Sequence, residues 1–431
     1  MTTEPLRIAL AGLGTVGAGV VKLLDANAEL IARRAGRPIE VVAVSARDRS
    51  KDRGVDLARF VWEDDTRALA ERADVDVVVE LVGGSDGPAL ALARAAFASG
   101  AGLVTANKAM LAHHGLELAR LAEKAGVPLK FEAAVAGGVP VVKGLREGTA
   151  ANRLTQVYGV LNGTCNYILS RMEADGRGFD EVLAEAQALG FAEADPGFDI
   201  DGVDAGHKLA VLASLAFGTR PAFGDVALTG VRHVLAADIA EAAALGYRVR
   251  LLGVAEATQT GALFQRVHPY LVPLSHPLAH VTGPTNAVVA EGDFVGRLLF
   301  QGAGAGAGPT ASAVVADLID MARGVIGPPF AMPADALAHA VPADSGERRG
   351  RAYLRFIVED RVGVLAEIAA AMRDAGVSIA SLIQRGANAD GGVLVAIVTH
   401  EGPERSVAQA LERLRGSQSL TGQPMWMPIL D

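Results

Sequence analysis

Residues 6–17 read Leu6-Arg7-Ile8-Ala9-Leu10-Ala11-Gly12-Leu13-Gly14-Thr15-Val16-Gly17, an apolar run that ends in a G-x-G-x-x-G turn. The run has the composition of a buried strand, and the residues that follow, from about 18 to 34, have a helical pattern. A glycine triplet alone is a weak signal, but between a strand and a helix it gains a physical meaning. Gly12 permits the tight turn, Gly14 lets the main chain approach a pyrophosphate, and Gly17 allows helix and strand to pack closely. The helix that follows offers first N–H groups that have no partner within it and suit phosphate oxygens, and Thr15 and Val16 are counted with the cofactor-binding residues.

Outward from this turn, strand-like runs at 40–45, 76–81, 102–105 and 128–132 alternate with helical stretches, notably 89–99 and 111–125. That alternation predicts a parallel sheet with helices on both faces, and so an α/β dinucleotide-binding domain over residues 1–135. Gly83, just past the run at 76–81, is counted with the cofactor-binding residues. An NAD-selective site usually carries an acid at the end of the second strand. This chain reads Val44-Ser45-Ala46-Arg47 there. Arg47 suits a 2′-phosphate and favours NADP over NAD; in the alternative, Asp48 holds the ribose and the basic loop is solvated.

Residues 136–307 mix helical segments (167–174, 180–189, 203–216) with short strand-like runs such as 156–161 and 247–255, as expected of an α+β substrate and dimerisation domain. A further helix over 308–323, with Pro309 in its first turn, lies in a segment (308–330) expected to return to the nucleotide domain. Glycine, proline and charge then mark a linker over 331–350. Residues 351–431 read strand, helix, strand, strand, helix, strand, a ferredoxin-like βαββαβ order.

Half of the 431 residues are apolar, about a fifth are charged, and the net charge is −9. This balance describes a soluble α/β protein and speaks against nucleic acid or an anionic membrane as partner. The one cysteine, Cys165, excludes an intrachain disulfide and a cysteine-based zinc site, which fits a reducing cytoplasm. No apolar run is long enough to span a bilayer, and the short, glycine-rich N-terminal run reads as a strand rather than a signal peptide.

Hydride transfer to a carbonyl needs a nicotinamide, a proton donor for the developing alkoxide, and groups that anchor the rest of the substrate. Thr105-Ala106-Asn107-Lys108 ends a predicted strand of the nucleotide domain, at the edge where open α/β sheets bind ligands. The densest polar cluster runs from Glu193 through Asp195, Asp199, Asp201 and Asp204 to Lys208. Asp204 and Lys208 are four apart and share a helical face. The helix then turns strongly apolar, so the pair would enter the protein, where a carboxylate-held lysine can present a proton to an alkoxide. A helix cap with a surface ion pair is the competing reading.

These motifs, together with Glu132-Ala133-Ala134-Val135-Ala136-Gly137-Gly138-Val139-Pro140, Asn162-Gly163-Thr164 and Gln301–Gly306, resemble those of homoserine dehydrogenases over essentially the whole chain. The resemblance implies reversible NAD(P)H-dependent reduction of L-aspartate 4-semialdehyde to L-homoserine, a step in threonine and methionine biosynthesis. It implies Lys208 as general acid/base, Lys108 as its assistant beside the nicotinamide, and Asp204 as the group orienting Lys208. Glu193 would take the substrate ammonium and Asp199 would support that pocket, while Gly163 and Thr164 would contact the amino-acid backbone. A monovalent cation, Na+ or K+, would lie near Glu132 on the main-chain carbonyls of Val135, Gly137 and Val139; such ligands leave no side-chain signature.

The C-terminal segment resembles an ACT domain, a module that binds amino acids between paired copies. It implies a homodimer or homotetramer and L-threonine as effector, with Asp360 and Gly363 at the strand-to-helix turn and Gln384 on the second strand. One position departs from the family pattern: Asn162-Gly163-Thr164-Cys165 stands where Asn-Gly-Thr-Thr is usual. A cysteine beside a semialdehyde suggests the rival chemistry of an acylating dehydrogenase, which needs a cation to activate the thiol; His207 is the nearest candidate. A non-catalytic amino-acid and nucleotide sensor is a second alternative, and it predicts that some of Lys108, Glu193, Asp204 and Lys208 be missing. All four are present.

Overall fold

The structure, a computed structural model, describes residues 4–387 and 392–430. Its first domain is built on β1 (Leu6–Ala11), β2 (Ile39–Ser45), β3 (Val61–Trp62), β4 (Val77–Glu80), β5 (Gly102–Thr105) and β6 (Leu129–Lys130). They lie in the order β3-β2-β1-β4-β5-β6, each neighbouring pair parallel. Helices α1 (Thr15–Ala26), α2 (Ala28–Ala35), α3 (Ala68–Glu71), α4 (Pro88–Ser99) and α5 (Lys108–Ala125) supply the crossovers. Ala9, Ala11 and Val78 enter one core with α4 and α5, while Ile8, Leu10 and Val79 enter a second with α1. A sheet buried on both faces needs such continuous apolar strands. Strand order reverses between β1 and β4, the point at which open α/β sheets bind ligands, beyond the carboxyl ends of the strands. The single helix expected over 18–34 is two, because the backbone of Asn27 leaves the helical region (φ −117°, ψ 22°), closing α1 and opening α2.

The middle of the chain comprises α6 (Val141–Lys143), β7 (Leu154–Val160), α7 (Gly163–Asp175), α8 (Phe179–Ala188), α9 (Gly197–Ile200), α10 (Val203–Phe217), β8 (Ala227–Leu228), α11 (Ala236–Ala244), β9 (Tyr247–Ala257), β10 (Leu263–Pro273), β11 (Thr285–Gly292) and β12 (Gly296–Ala303). Its sheet has the order β12-β11-β7-β9-β10-β8. Helix α10 packs between this sheet and α5 and buries every residue from Asp204 to Leu215. A helix enclosed on all sides must be apolar all round or pair its polar groups, which explains both its Leu/Ala/Val run and the fate of Lys208. Helix α12 (Ala307–Ala322) then runs along α1. A Cβ on Gly19 would lie 2.8 Å from the Ala307 carbonyl oxygen, so glycine is what allows that approach. Ala311, Val314 and Leu318 of α12 complete the core around Ile8 and Leu10. Beyond it the chain runs over the middle domain, where Ala338 bridges Thr219 and Pro342 bridges Leu263.

The C-terminal module holds β13 (Arg349–Gly350), β14 (Ala352–Val358), α13 (Val364–Asp374), β15 (Ile379–Ala387), β16 (Val393–Thr399), β17 (Gly402–Pro403), α14 (Glu404–Arg413) and β18 (Met425–Pro428). The order β15-β16-β14-β18, with α13 and α14 packed on one face, is ferredoxin-like. The other face packs on the middle domain, to whose core it adds Tyr353, Met425, Met427 and Ile429. Polar side chains join the two: Tyr353 donates to Asp238 of α11, Arg355 lies 3.4 Å from the same carboxylate, and Arg266 of β10 holds Glu404 through two hydrogen bonds. Among the described residues no helix is long and apolar enough to cross a membrane.

Candidate active site

The glycine turn is shaped by close contacts on two sides and open space on the third. Gly12 has φ +98°, and a Cβ there would lie 2.6 Å from the Leu81 carbonyl oxygen; one on Gly17 would lie 2.1 Å from that of Gly12. Gly14 caps α1 and has nothing within 4 Å of where its Cβ would stand, so the main chain is bare at this point. No side chain caps α1, which leaves the N–H groups of Thr15 and Val16 for a phosphate. This donor set fits the pyrophosphate of a dinucleotide.

Buried Glu80, at the end of β4, ties the rest of that edge together. Its carboxylate accepts from Val82 N (2.7 Å), Gly83 N (3.0 Å) and Thr105 Oγ1 (2.5 Å). Thr105 Oγ1 accepts in turn from Asn107 N, and Asn107 caps α5 by accepting from Met110 N while donating to the Gly84 carbonyl. This network fixes the loop after β4 and the first residue of α5, which is Lys108. At the end of β2, Arg47 is exposed. Asp48 turns back to accept from the N–H and hydroxyl of Ser50; the Ser50 hydroxyl is the main reason its carboxyl lies below the usual range. Arg49 and Arg53 lie beside the Trp62 ring, and Arg53 Nε donates to the Leu13 carbonyl within the glycine turn.

The two lysines meet at one carboxylate. Lys208 Nζ donates to Asp204 Oδ2 (2.7 Å) and to the Leu161 carbonyl (2.8 Å), while Lys108 Nζ lies 3.3 Å from Asp204 Oδ1. Asn162 Nδ2 adds bonds to Asp204 Oδ2 (2.8 Å) and Asp199 Oδ1 (2.7 Å), and Thr164 Oγ1 reaches Asp199 Oδ2 (3.1 Å). Burial alone would raise the Asp204 carboxyl, but Lys208, Lys108 and the bonds from Lys208 and Asn162 outweigh it and hold it well below the carboxylate range. Asp199 goes the other way, raised by burial and then by the charge of Asp204. Both lysines, Asp204, Asp199 and Thr164 therefore belong to one constellation, and the reading of Asp204 and Lys208 as a surface pair is overturned because α10 is internal.

Gly163 opens α7 under the cap of Asn162, whose Oδ1 accepts from Cys165 N. A Cβ on Gly163 would lie 2.8 Å from the Pro284 carbonyl oxygen. Thr164 Oγ1 also reaches the Phe191 carbonyl, which brings the following loop to this helix start. Glu193 lies on that loop with its side chain exposed and no hydrogen bond or ion pair from its carboxylate among the described residues. Cys165 is buried, and its Sγ donates to the Asp199 carbonyl. Burial, then Asp199, Asp204 and Asp201, push the thiol well above its ordinary value. His207 does not activate it; the Nε2 of His207 is bonded to that of His113. The thiolate chemistry of the acylating alternative has no support in this pocket.

Glu132 is buried where the two large domains join. Its N–H donates to Asp317 Oδ2, and its carboxylate accepts from Val142 N (3.0 Å) and Lys143 N (2.8 Å). Burial and the charge of Asp317 raise this carboxyl to about 7. The turn beside it contains Ala136 and Gly137, both with positive φ (56° and 52°). The buried carbonyls of Val135 and Gly137 accept no hydrogen bond among the described residues, whereas that of Val139 accepts from Val141 N. In the C-terminal module, Asp360, Gly363 and Gln384 line one pocket of about 200 Å³ together with Val362 and Val395.

Two residues escaped the sequence reading. Glu80 had a signal, an acid at the end of Val77-Val78-Val79. Asn162 stood in a quoted motif, but its bridging of two acids forty residues further on depends on how α7 and α10 meet.

Comparison with known proteins agrees with this geometry. Residues 140–319 match a family model described as homoserine dehydrogenase, 12–132 match the homoserine dehydrogenase NAD-binding domain, and 352–416 match the ACT domain. A homoserine dehydrogenase of Pseudomonas aeruginosa is 44% identical over 428 residues, 97% of each chain. One of Neisseria gonorrhoeae is 47% identical over 95% of this chain and 94% of its own. The crystal structure of a homoserine dehydrogenase from Thiobacillus denitrificans, 40% identical, superposes with a TM-score of 0.93 over 100% of this chain and 99% of that one.

Proposed function

The chain belongs to the homoserine dehydrogenase family, oxidoreductases that interconvert L-aspartate 4-semialdehyde and L-homoserine with a nicotinamide cofactor, and from that membership we propose which of its residues do what. The nicotinamide supplies or accepts the hydride. An ammonium group has three donors, and Lys208 spends two, on Asp204 and the Leu161 carbonyl. The third is left for the substrate's C4 oxygen, to which Lys208 gives a proton in reduction and from which it takes one in oxidation. Lys108 adds a second positive charge against the developing alkoxide, and Asp204 holds both groups in place. Glu193, the unpaired carboxylate nearby, takes the substrate ammonium, with Asp199 supporting the pocket; Gly163 and Thr164, at the N-terminus of α7, take the carboxylate.

The observation that carries this reading is the pair of lysines, from separate domains, on one buried carboxylate. Its test is homoserine oxidation by the purified protein with NADP and NAD in parallel, wild type against Lys208→Ala. The variant should lose about 10²-fold or more in kcat; an undiminished rate would remove Lys208 from the chemistry.

Three finer assignments follow. Arg47, with Arg49 and Arg53 behind it, binds the 2′-phosphate of NADP, while Asp48 is engaged in its own loop and does not hold the ribose. Gly12, Gly14, Thr15, Val16, Gly17 and Gly83 line the rest of the cofactor site. A Na+ or K+ ion is held by the carbonyls of Val135, Gly137 and Val139 near Glu132; the buried carbonyls of Val135 and Gly137, which accept no hydrogen bond among the described residues, support it. L-Threonine binds the pocket of Asp360, Gly363 and Gln384 and lowers activity through the face that the C-terminal module shares with α11. Arg385, next to Gln384 on β15, holds Glu241 of α11, and α11 packs on α7, whose start bears Gly163 and Thr164.

A further inference from the structure

His207 follows Gly206 and precedes Lys208 in α10, and nothing in the proposed chemistry uses it. It is 4% exposed. Its ring lies 4.1 Å from the ring of Phe223, 5.2 Å from that of His113 and 5.6 Å from that of Phe198. Its Nε2 is 3.2 Å from Nε2 of His113, on α5 of the nucleotide domain, and its buried Nδ1 has no partner among the described residues.

We infer that His113 and His207 are a positioning pair, whose hydrogen bond locks α5 onto α10 and so keeps Lys108 and Lys208 on the same carboxylate. The inference rests on the lysine roles proposed above. His113 lies five residues beyond Lys108, about 7.5 Å along the helix axis, and His207 adjoins Lys208. The bond therefore ties the two helices within about a turn and a half of each reactive group. Phe198 links the two further, since its ring lies tilted against that of His207 and is also 5.8 Å from Lys108 Nζ.

A pair of phenyl rings would fill this aromatic box equally well and would leave no orphaned nitrogen at Nδ1. What an imidazole adds is the directed bond at Nε2. His207 also adds no charge. The groups facing His207 are His113 and Lys108 from α5 and Asp204 from its own helix, while α9 and the turn at 223–225 present the rings of Phe198 and Phe223. Burial, then His113 and Lys108, lower its pKa to about 4 against the pull of Asp204. A neutral ring donates or accepts one bond here without competing with the lysines for Asp204.

The test is a double-mutant cycle with His113→Phe, His207→Phe and the double variant, read as kcat and as the KM for NADP, with Lys208→Ala as a separate control. If the pair acts as a unit, each single Phe variant loses about tenfold or more in kcat, the KM for NADP stays put, and the double variant is no worse than either single. His207→Gln, whose Nε2 reaches the position of the imidazole Nε2, should restore most of the rate, whereas His207→Asn, which reaches only the Nδ1 position, should not; this contrast also decides if a Phe variant folds poorly. Unchanged kcat in His207→Phe, independent losses that multiply in the double variant, or Gln no better than Asn would each overturn the pair while an inactive Lys208→Ala leaves the lysine reading standing. A fully active Lys208→Ala would overturn both.

Discussion

Lys108 and Lys208, on helices of two different domains, share the two oxygens of a single buried carboxylate, at 3.3 Å and 2.7 Å. Lys208 is held by its own helix, but Lys108 reaches Asp204 only across the boundary between the domains. The site exists only where α5 and α10 pack together, and its geometry is sensitive to anything that shifts one against the other.

Asn162 is the first such element to test. Its one amide nitrogen bonds to both Asp199 and Asp204, and without it the two carboxylates are left facing each other. Hydrogen bonds to charged groups are worth about 1.5–3 kcal/mol each, so Asn162→Ala should lower kcat/KM for homoserine by about tenfold to a hundredfold. A rate equal to wild type would mean that the amide only caps α7.

Cofactor choice is expected to follow Arg47. Its removal in Arg47→Ala should raise the KM for NADP about tenfold or more and leave that for NAD nearly unchanged. Equal changes for both cofactors would show that the loop supports the fold of the site rather than reading the 2′-phosphate.

Glu132 predicts a pH dependence of stability. Its folded pKa, about 7, lies above the ordinary value of 4.5. Below 4.5 the residue is protonated in both states and its contribution is fully present; between about 4.5 and 7 the unfolded chain releases the proton while the folded one keeps it. Stability should fall by about 3 kcal/mol across that window and level off above it. Unfolding of wild type and Glu132→Gln in choline chloride should show the slope in the former and not in the latter. Replacing choline with K+ or Na+ at equal ionic strength should flatten the wild-type slope, because a bound cation keeps the carboxylate ionised. Identical curves in all three salts would count against the cation.

Cys165→Ser should keep homoserine oxidation close to wild type, since the hydroxyl can donate to the Asp199 carbonyl as the thiol does. The native thiol should also resist alkylation until the protein unfolds. Loss of activity together with rapid labelling would reopen the acyl-transfer mechanism.

L-Threonine in the millimolar range should inhibit the wild type, and Gln384→Ala should raise the half-inhibiting concentration. Arg385→Ala should weaken inhibition without touching the pocket, because it severs β15 from Glu241 of α11. No response to threonine in the wild type would leave the C-terminal module with a structural role alone.

Much of this architecture was open to reading from local patterns. The glycine turn, the alternation of strands and helices, and the βαββαβ order each follow from interactions between residues near in sequence: steric freedom at glycine, helical and strand periodicity, apolar runs that demand burial on both faces. The apolar continuation of α10 even signalled that Lys208 goes inward. Boundaries were less legible, as at Asn27, where one residue outside the helical backbone region splits a helix.

The linear chain by itself determined which elements form and which of their ends carry reactive side chains, because those choices depend on neighbours within a few residues. Only the folded molecule decided that Asn162 spans two acids, that Glu80 braces the start of α5, that His207 answers His113 rather than Cys165, and that two lysines from separate domains face one carboxylate. Those are contacts between distant segments, set by how helices and sheets pack once formed, and no local periodicity encodes them.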